Sequence, residues 1–232
     1  MTQQMARSAV RVAIIEDHSL FAESLELALS LEGYDVRRTP HQGAGTTVNA
    51  MLAAVLRARP RIVLLDLDLG PYGDGARLIA PMAAAGIQVV VVTGSPDRPR
   101  WGECLRNGAR KVHVKTQPLN EILATVRRIN QGFPVIDRSE RDQLVQLWRD
   151  QRQERHQMTE RLQLLTQREQ QVLGHLMKGR TVREIAAHSV VSEATVRTQV
   201  KSILAKLEVS SQLAAVGLAH HTGWRPLTAV SA

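Results

Sequence analysis

The sequence predicts an α/β flavodoxin-like (βα)5 domain, then a linker helix, then a small all-α domain of four helices in a helix-turn-helix layout. Three observations predict this. Between residues 10 and 132, short unbroken runs of Val, Ile and Leu alternate with helical patterns, as strands covered on both faces of a parallel sheet require. Residues 138–164 hold neither Pro nor Gly and are rich in Gln, Arg and Glu. From residue 165 the chain is helical, with hydroxyl residues at the helix starts and a short turn, Ser189-Val190-Val191, between two of the helices.

In chain order, strands are expected over 10–15, 34–38, 61–66, 87–93 and 111–114, and helices over 18–32, 46–58, 75–85, 97–107 and 118–131. Gly33 supplies a helix stop, and Pro118 suits a first helical turn. In the polar stretch, Leu144, Trp148, Met158, Leu162 and Leu165 fit one helix stripe interrupted by Gln151 and Arg155, read as an amphipathic linker helix, with a dimerising coiled coil as the alternative. Helices then follow over 166–178, 181–188, 192–207 and 210–221. Thr166-Gln167-Arg168-Glu169 and Thr181-Val182-Arg183-Glu184 both read as capping boxes, and Ser192 as an N-cap. The expected domains are 9–132, a linker over 133–163, and 164–225.

Composition narrows the function classes. Apolar residues make up 44% and charged residues 22%, enough apolar content for packed cores. A single cysteine, Cys104, excludes an intrachain disulfide framework. The first residues lack a signal-peptide core, and no apolar run approaches the roughly 20 residues of a membrane span. A cytoplasmic protein with no membrane partner is therefore expected. The net charge is +8, and residues 164–232 carry the densest excess, 8 Lys/Arg against 4 Asp/Glu. That bias suits a nucleic-acid partner.

Four strand ends carry reactive groups. Val12-Ala13-Ile14-Ile15 ends in Glu16-Asp17, Ile62-Val63-Leu64-Leu65 in Asp66, Val89-Val90-Val91-Val92 in Thr93, and Val112-His113-Val114 in Lys115. In a doubly wound sheet the carboxyl ends of the strands meet at one crevice. Glu16, Asp17 and Asp66 offer oxygens to Mg²⁺, with the backbone carbonyl of Asp68 as a further ligand. The metal would offset repulsion of an incoming phosphoryl donor, Asp66 would act as nucleophile, and Lys115 and Thr93 would hold the phosphoryl oxygens.

This half resembles the CheY-like receiver domain of response regulators, over roughly residues 9–132. The resemblance implies that Asp66 is the phospho-acceptor, Glu16 and Asp17 the acid pair, Thr93 the switch hydroxyl and Lys115 the phosphoryl-binding ammonium. Val112 stands where that family commonly has an aromatic switch residue. The loop Gly70-Pro71-Tyr72-Gly73-Asp74-Gly75 and the segment from Pro40 to Thr47 are longer than usual.

In the helix from Ser192, Val196, Val200, Ile203, Leu204 and Leu207 form an apolar stripe, while Arg197, Thr198 and Lys201 lie on another face. A helix pressed into a major groove needs such an apolar back and polar front. Leu165-Thr166-Gln167-Arg168-Glu169, Glu184-Ile185-Ala186, Val191-Ser192-Glu193-Ala194-Thr195-Val196-Arg197 and Lys206-Leu207 resemble the signature of the LuxR/NarL-type helix-turn-helix domain. The resemblance implies that Arg197, Thr198 and Lys201 contact bases and backbone, that Thr195 lies near a phosphate, and that the last helix mediates dimerisation on DNA. Ser189, Val182, Gln199 and Gln212 depart from the residues common there.

The expected function is a transcriptional response regulator, not an enzyme. A sensor histidine kinase phosphorylates Asp66, and a homodimer binds promoter DNA. One alternative keeps DNA binding in an orphan regulator whose receiver dimerises or senses a ligand. A remote one reads Asp66-Leu67-Asp68 as the Asp-x-Asp of an aspartyl-phosphate phosphatase. The eight histidines, His18 among them, read as structural or surface residues.

Overall fold

The strands alternate their side chains between two apolar layers, and this decides where the helices sit. A computed structural model describes residues 10–38 and 47–226; the segment 39–46, which holds most of the expected long loop, lies outside the described residues. Strands β1 (Arg11–Ile15), β2 (Asp35–Arg38), β3 (Ile62–Leu65), β4 (Gln88–Thr93) and β5 (Lys111–Val114) pair in parallel in the order β2-β1-β3-β4-β5. Register is tight at the centre, with Ile15 beside Leu65 and Leu65 beside Val91.

Ala13, Ile15, Val63, Leu65, Val89 and Val91 face helices α2 (Val48–Ala58), α3 (Ala76–Ala84) and Cys104 of α4 (Arg98–Arg106). Their neighbours Val12, Ile14, Ile62, Leu64, Val90 and Val92 face α1 (Ser19–Leu31) and α5 (Leu119–Asn130). Burial on both faces explains why β1, β3 and β4 read as apolar runs rather than as apolar–polar alternation. Each central side chain contributes about 1.5–3 kcal/mol by leaving water. Gly33 ends α1 at φ 89°, donating to Ser30 O, and Pro118 occupies the N-cap of α5 rather than its first turn.

The chain divides into two compact units between Arg149 and Asp150. That division falls inside helix α6 (Arg138–Gln163), the helix expected over 133–163. Leu144 and Val145 are buried against Leu105, with Trp101, Val112 and Ile136 around them. Leu162 and Leu165 belong to the core of the second unit. The expected stripe is therefore two separate contacts.

The second unit holds α7 (Gln167–Met177), α8 (Val182–Ser189), α9 (Glu193–Leu207) and α10 (Gln212–Thr222). Both capping boxes form, and Ser192 caps α9 by accepting from Thr195 N at 3.1 Å. Val172, Leu173, Ile185, Val196, Val200, Ile203, Leu207, Ala215 and Ala219 make its core. Val190 ends α8 at φ 54° and ψ 47°, a left-handed conformation that a β-branched residue adopts only under strain. Among the described residues no single helix is long and apolar enough to cross a membrane.

Candidate functional sites

Three strands deliver their last residues to one point. Asp66 follows β3 and its N–H donates to Ile15 O at 2.9 Å, which sets it beside the end of β1. Lys115 follows β5 and its N–H donates to Thr93 O at 2.8 Å, which sets it beside the end of β4. Lys115 Nζ then bridges two carboxylates, at 2.7 Å from Asp66 Oδ2 and 2.7 Å from Glu16 Oε1. The side chains of Asp66 and Glu16 are 2% and 3% exposed, so the ammonium pairs with two carboxyl groups that water barely reaches.

Burial pushes the Glu16 carboxyl above its ordinary range, partly offset by the hydrogen bond from Lys115. Burial pulls Lys115 the other way, but its hydrogen bonds to Asp66 and Glu16 outweigh that and hold its ammonium above the usual value. An isolated ion pair would lower its acid. Here Glu16 is more deeply buried than Lys115, and Asp66 repels its charge. The lysine is thus a fixed cation at neutral pH.

Glu16, Asp17, His18 and Asp66 bring one ligand atom each within 4.8 Å of one another. Asp17 Oδ1 is buried and accepts no hydrogen bond. His18 Nδ1 stands 2.8 Å from it, close enough for ion pairing but not aligned as a hydrogen bond. Gly70, at φ 57°, crosses so near that a Cβ there would lie 3.1 Å from Asp17 Oδ2. A pocket of hard carboxylate oxygens with an orphaned acceptor fits a divalent cation of the Mg²⁺ kind. Asp68 does not join the group through its side chain. Its N–H donates to Asp66 Oδ1 at 3.2 Å, and it pairs with Asp74 in an isolated bridge.

His18 is the site residue that sequence reading missed. Its side chain is 67% exposed, as a surface residue's would be, and its ring lies 3.1 Å from Glu16 and 3.3 Å from Lys115 Nζ. Lys115 depresses its basicity, but the Glu16 hydrogen bond and the Asp17 charge prevail, leaving it raised. The available signal was its place directly after the acid pair at a strand end. Gly75 is a second omission: a Cβ there would meet Asp66 O at 2.1 Å, so the loop passes over Asp66 only because that residue lacks a side chain.

Thr93 is 2% exposed, and its Oγ1 accepts from Ser95 N at 3.1 Å. Its hydroxyl hydrogen is thus available to a group placed at Asp66.

The second site lies on α9. Thr195, Arg197, Thr198 and Lys201 are exposed, while Val196, Val200, Ile203 and Leu207 are buried behind them. Ser192 Oγ lies 2.9 Å from Thr195 Oγ1, Thr198 Oγ1 donates to Ala194 O, and Arg197 pairs with Glu193 at 3.1 Å. Lys201 completes a cationic, hydroxyl-bearing face near the helix start. Such a face suits a polyanion. Glu169, 6% exposed, holds α9 from behind: its carboxylate accepts from Lys206 Nζ at 2.7 Å and from Ser202 Oγ at 2.5 Å.

Comparisons with known proteins agree with both halves. Residues 12–127 match the response regulator receiver domain family, and residues 163–219 match the bacterial regulatory proteins of the luxR family. The chain is 27% identical over 216 residues to the virulence factors putative positive transcription regulator BvgA of Bordetella pertussis, covering 90% of this chain and 96% of that one. It is 26% identical over 205 residues to the uncharacterized transcriptional regulatory protein YhcZ of Bacillus subtilis, covering 88% and 92%. Among solved structures, the RcsB response regulator of Salmonella typhimurium matches with a TM-score of 0.46 at 19% identity, over 91% of this chain and 98% of that one.

Proposed function

The chain belongs to the response regulators that join a receiver domain to a LuxR-type DNA-binding domain, and from that premise we propose that phosphorylation of Asp66 controls its binding to promoter DNA. The observation that carries the reading is the Lys115 ammonium, held 2.7 Å from both Asp66 and Glu16 beside the unbonded Asp17 oxygen. A sensor histidine kinase is the phosphoryl donor. Asp66 forms an oxygen–phosphorus bond as the phosphorus–nitrogen bond of the donor breaks, and the freed imidazole takes up a proton.

Mg²⁺, when held by Glu16, Asp17, Asp66 and the Asp68 carbonyl, neutralises the charge of the entering group. Lys115 exchanges its Asp66 partner for phosphoryl oxygens, and Thr93 turns its hydroxyl toward them. A homodimer then presents Arg197, Thr198 and Lys201 to base edges and backbone, with Thr195 at a phosphate. The phosphoryl group moves the equilibrium only by what it gains in one state over the other; about 5.5 kcal/mol takes 1:99 to 99:1.

Val112, which has no ring to follow Thr93, favours one other reading: an orphan regulator that binds DNA without phosphorylation. Intact mass and solution molar mass, measured before and after acetyl phosphate with Mg²⁺, separate the two. The proposal expects one phosphoryl adduct, absent in Asp66→Asn, together with dimer formation. No adduct under conditions that label another receiver would leave the orphan reading.

A further inference from the structure

Outside the acid pocket, the most specific packing in the first unit lies where α4 meets the start of α6. Gly102 has no side chain there, and a Cβ would sit 2.0 Å from Leu144 O and 3.0 Å from Trp148 Cβ. The two helices therefore meet backbone to backbone. Arg106 lies over the Trp148 ring at 4.6 Å, and Arg141 donates to Leu105 O at 3.3 Å. Trp101 packs into the same seam beside Leu105, Leu144 and Val145.

Trp101 also faces the phospho-acceptor site through hydrogen bonds. Its Nε1 donates to Ser95 O at 3.1 Å, and Ser95 N donates to Thr93 Oγ1 at 3.1 Å. Ser95 Oγ accepts from Asp97 N, and Asp97 caps α4 by accepting from Arg100 N. Arg100 in turn reaches Asp74 at 2.8 Å, in the loop that crosses Asp66. The first turn of α4 is thus tied to the acid pocket from both sides. Val112 shares the seam but has no side-chain polar group to pass on a hydrogen-bonded change.

We propose that Trp101 couples the Thr93 hydroxyl to the docking of α6, so that phosphorylation loosens the first half of that helix from α4. This rests on the reading of Asp66 as phospho-acceptor. When Thr93 turns its oxygen toward a phosphoryl group, Ser95 N–H loses its acceptor. The loop re-pairs, Ser95 O moves off the indole N–H, and the ring that walls the seam shifts with it. One hydrogen bond of net value near 1 kcal/mol changes local opening by roughly fivefold.

The test is hydrogen–deuterium exchange over residues 138–149 of the full-length protein, with and without acetyl phosphate and Mg²⁺, with intact mass read on the same samples. Trp101→Phe keeps a ring in the seam and removes the N–H. Wild type is expected to exchange about fivefold faster in this segment once the adduct forms. Trp101→Phe should take the adduct, exchange about fivefold faster than wild type beforehand, and show little further change. Gly102→Ala should exchange fast with no donor at all. An adduct with no faster exchange in wild type, or a full response in Trp101→Phe, overturns the coupling alone. Absence of an adduct in wild type overturns the phospho-acceptor reading and the coupling with it.

Discussion

Glu169 joins two helices of the DNA-binding unit through one carboxylate, and replacing it by Gln removes the charge while keeping the shape. Besides Lys206 and Ser202 on α9, the carboxylate accepts from Thr166 N at 2.7 Å and Thr166 Oγ1 at 2.9 Å. Burial opposes its ionisation, but these hydrogen bonds win and pull its pKa from 4.5 to about 2. At about 1.4 kcal/mol for each tenfold change in proton affinity, that interval sets an upper figure of about 3 kcal/mol. Solvent screening at the carboxylate brings the expected contribution to about 2 kcal/mol. A group whose folded pKa lies below its unfolded one contributes fully above the unfolded value and loses its effect as pH falls toward the folded one. The stabilisation should therefore be complete above pH 4.5 and fade toward pH 2. Urea unfolding can report it through Trp224, which packs on this core, in a Trp101→Phe/Trp148→Phe background. Glu169→Gln should cost about 2 kcal/mol at pH 6 and less than about 1 kcal/mol at pH 3. A deficit that does not change with pH would show that shape, not charge, holds the two helices.

Three further outcomes follow from the geometry. Val190 is 90% exposed at φ 54°, so Val190→Gly should relieve strain without removing a contact and raise the stability of the second unit by about 1 kcal/mol; a lowered urea midpoint would refute this. Lys115→Met leaves Glu16 and Asp66 buried without their shared cation, and should destabilise the first unit by about 3 kcal/mol. Thermal melts should show Mg²⁺ stabilising that variant more than wild type; equal effects would argue that the cation does not enter the acid pocket. Arg197→Ala should weaken operator binding by about 1–3 kcal/mol if the side chain reads a base edge. A titration on random DNA with the same loss would assign Arg197 to phosphate instead.

The parts legible in the sequence are those that local physics writes locally. Val89 to Val92 announces a doubly covered strand because both faces demand apolar residues, and Thr166 with Glu169 announces a helix start because the reciprocal capping bonds span three residues. The acid pocket was legible for a related reason: parallel strands bring their carboxyl ends together, so Asp66, Glu16 and Lys115 needed only to be read at strand ends. His18 escaped because its role depends on ring position beyond the strand, where no periodicity applies.

What remained hidden depends on approach between elements far apart in the chain. Glu169 reads as a cap, and nothing near it says that Ser202 and Lys206 will share its carboxylate. A glycine inside a helical pattern signals close approach but not the partner, so Gly102 could not point to Leu144, 42 residues away by their numbers. The same limit applies to the apolar stripe within 133–163. Leu144, Trp148, Leu162 and Leu165 satisfy one helical period, and period alone cannot tell a single stripe from two docking points. Gln151 and Arg155 break the stripe where Arg149 and Asp150 divide the units. The polar interruption that weakened the coiled-coil reading marks the stretch of α6 between its two cores, where Leu144 packs in one and Leu162 in the other.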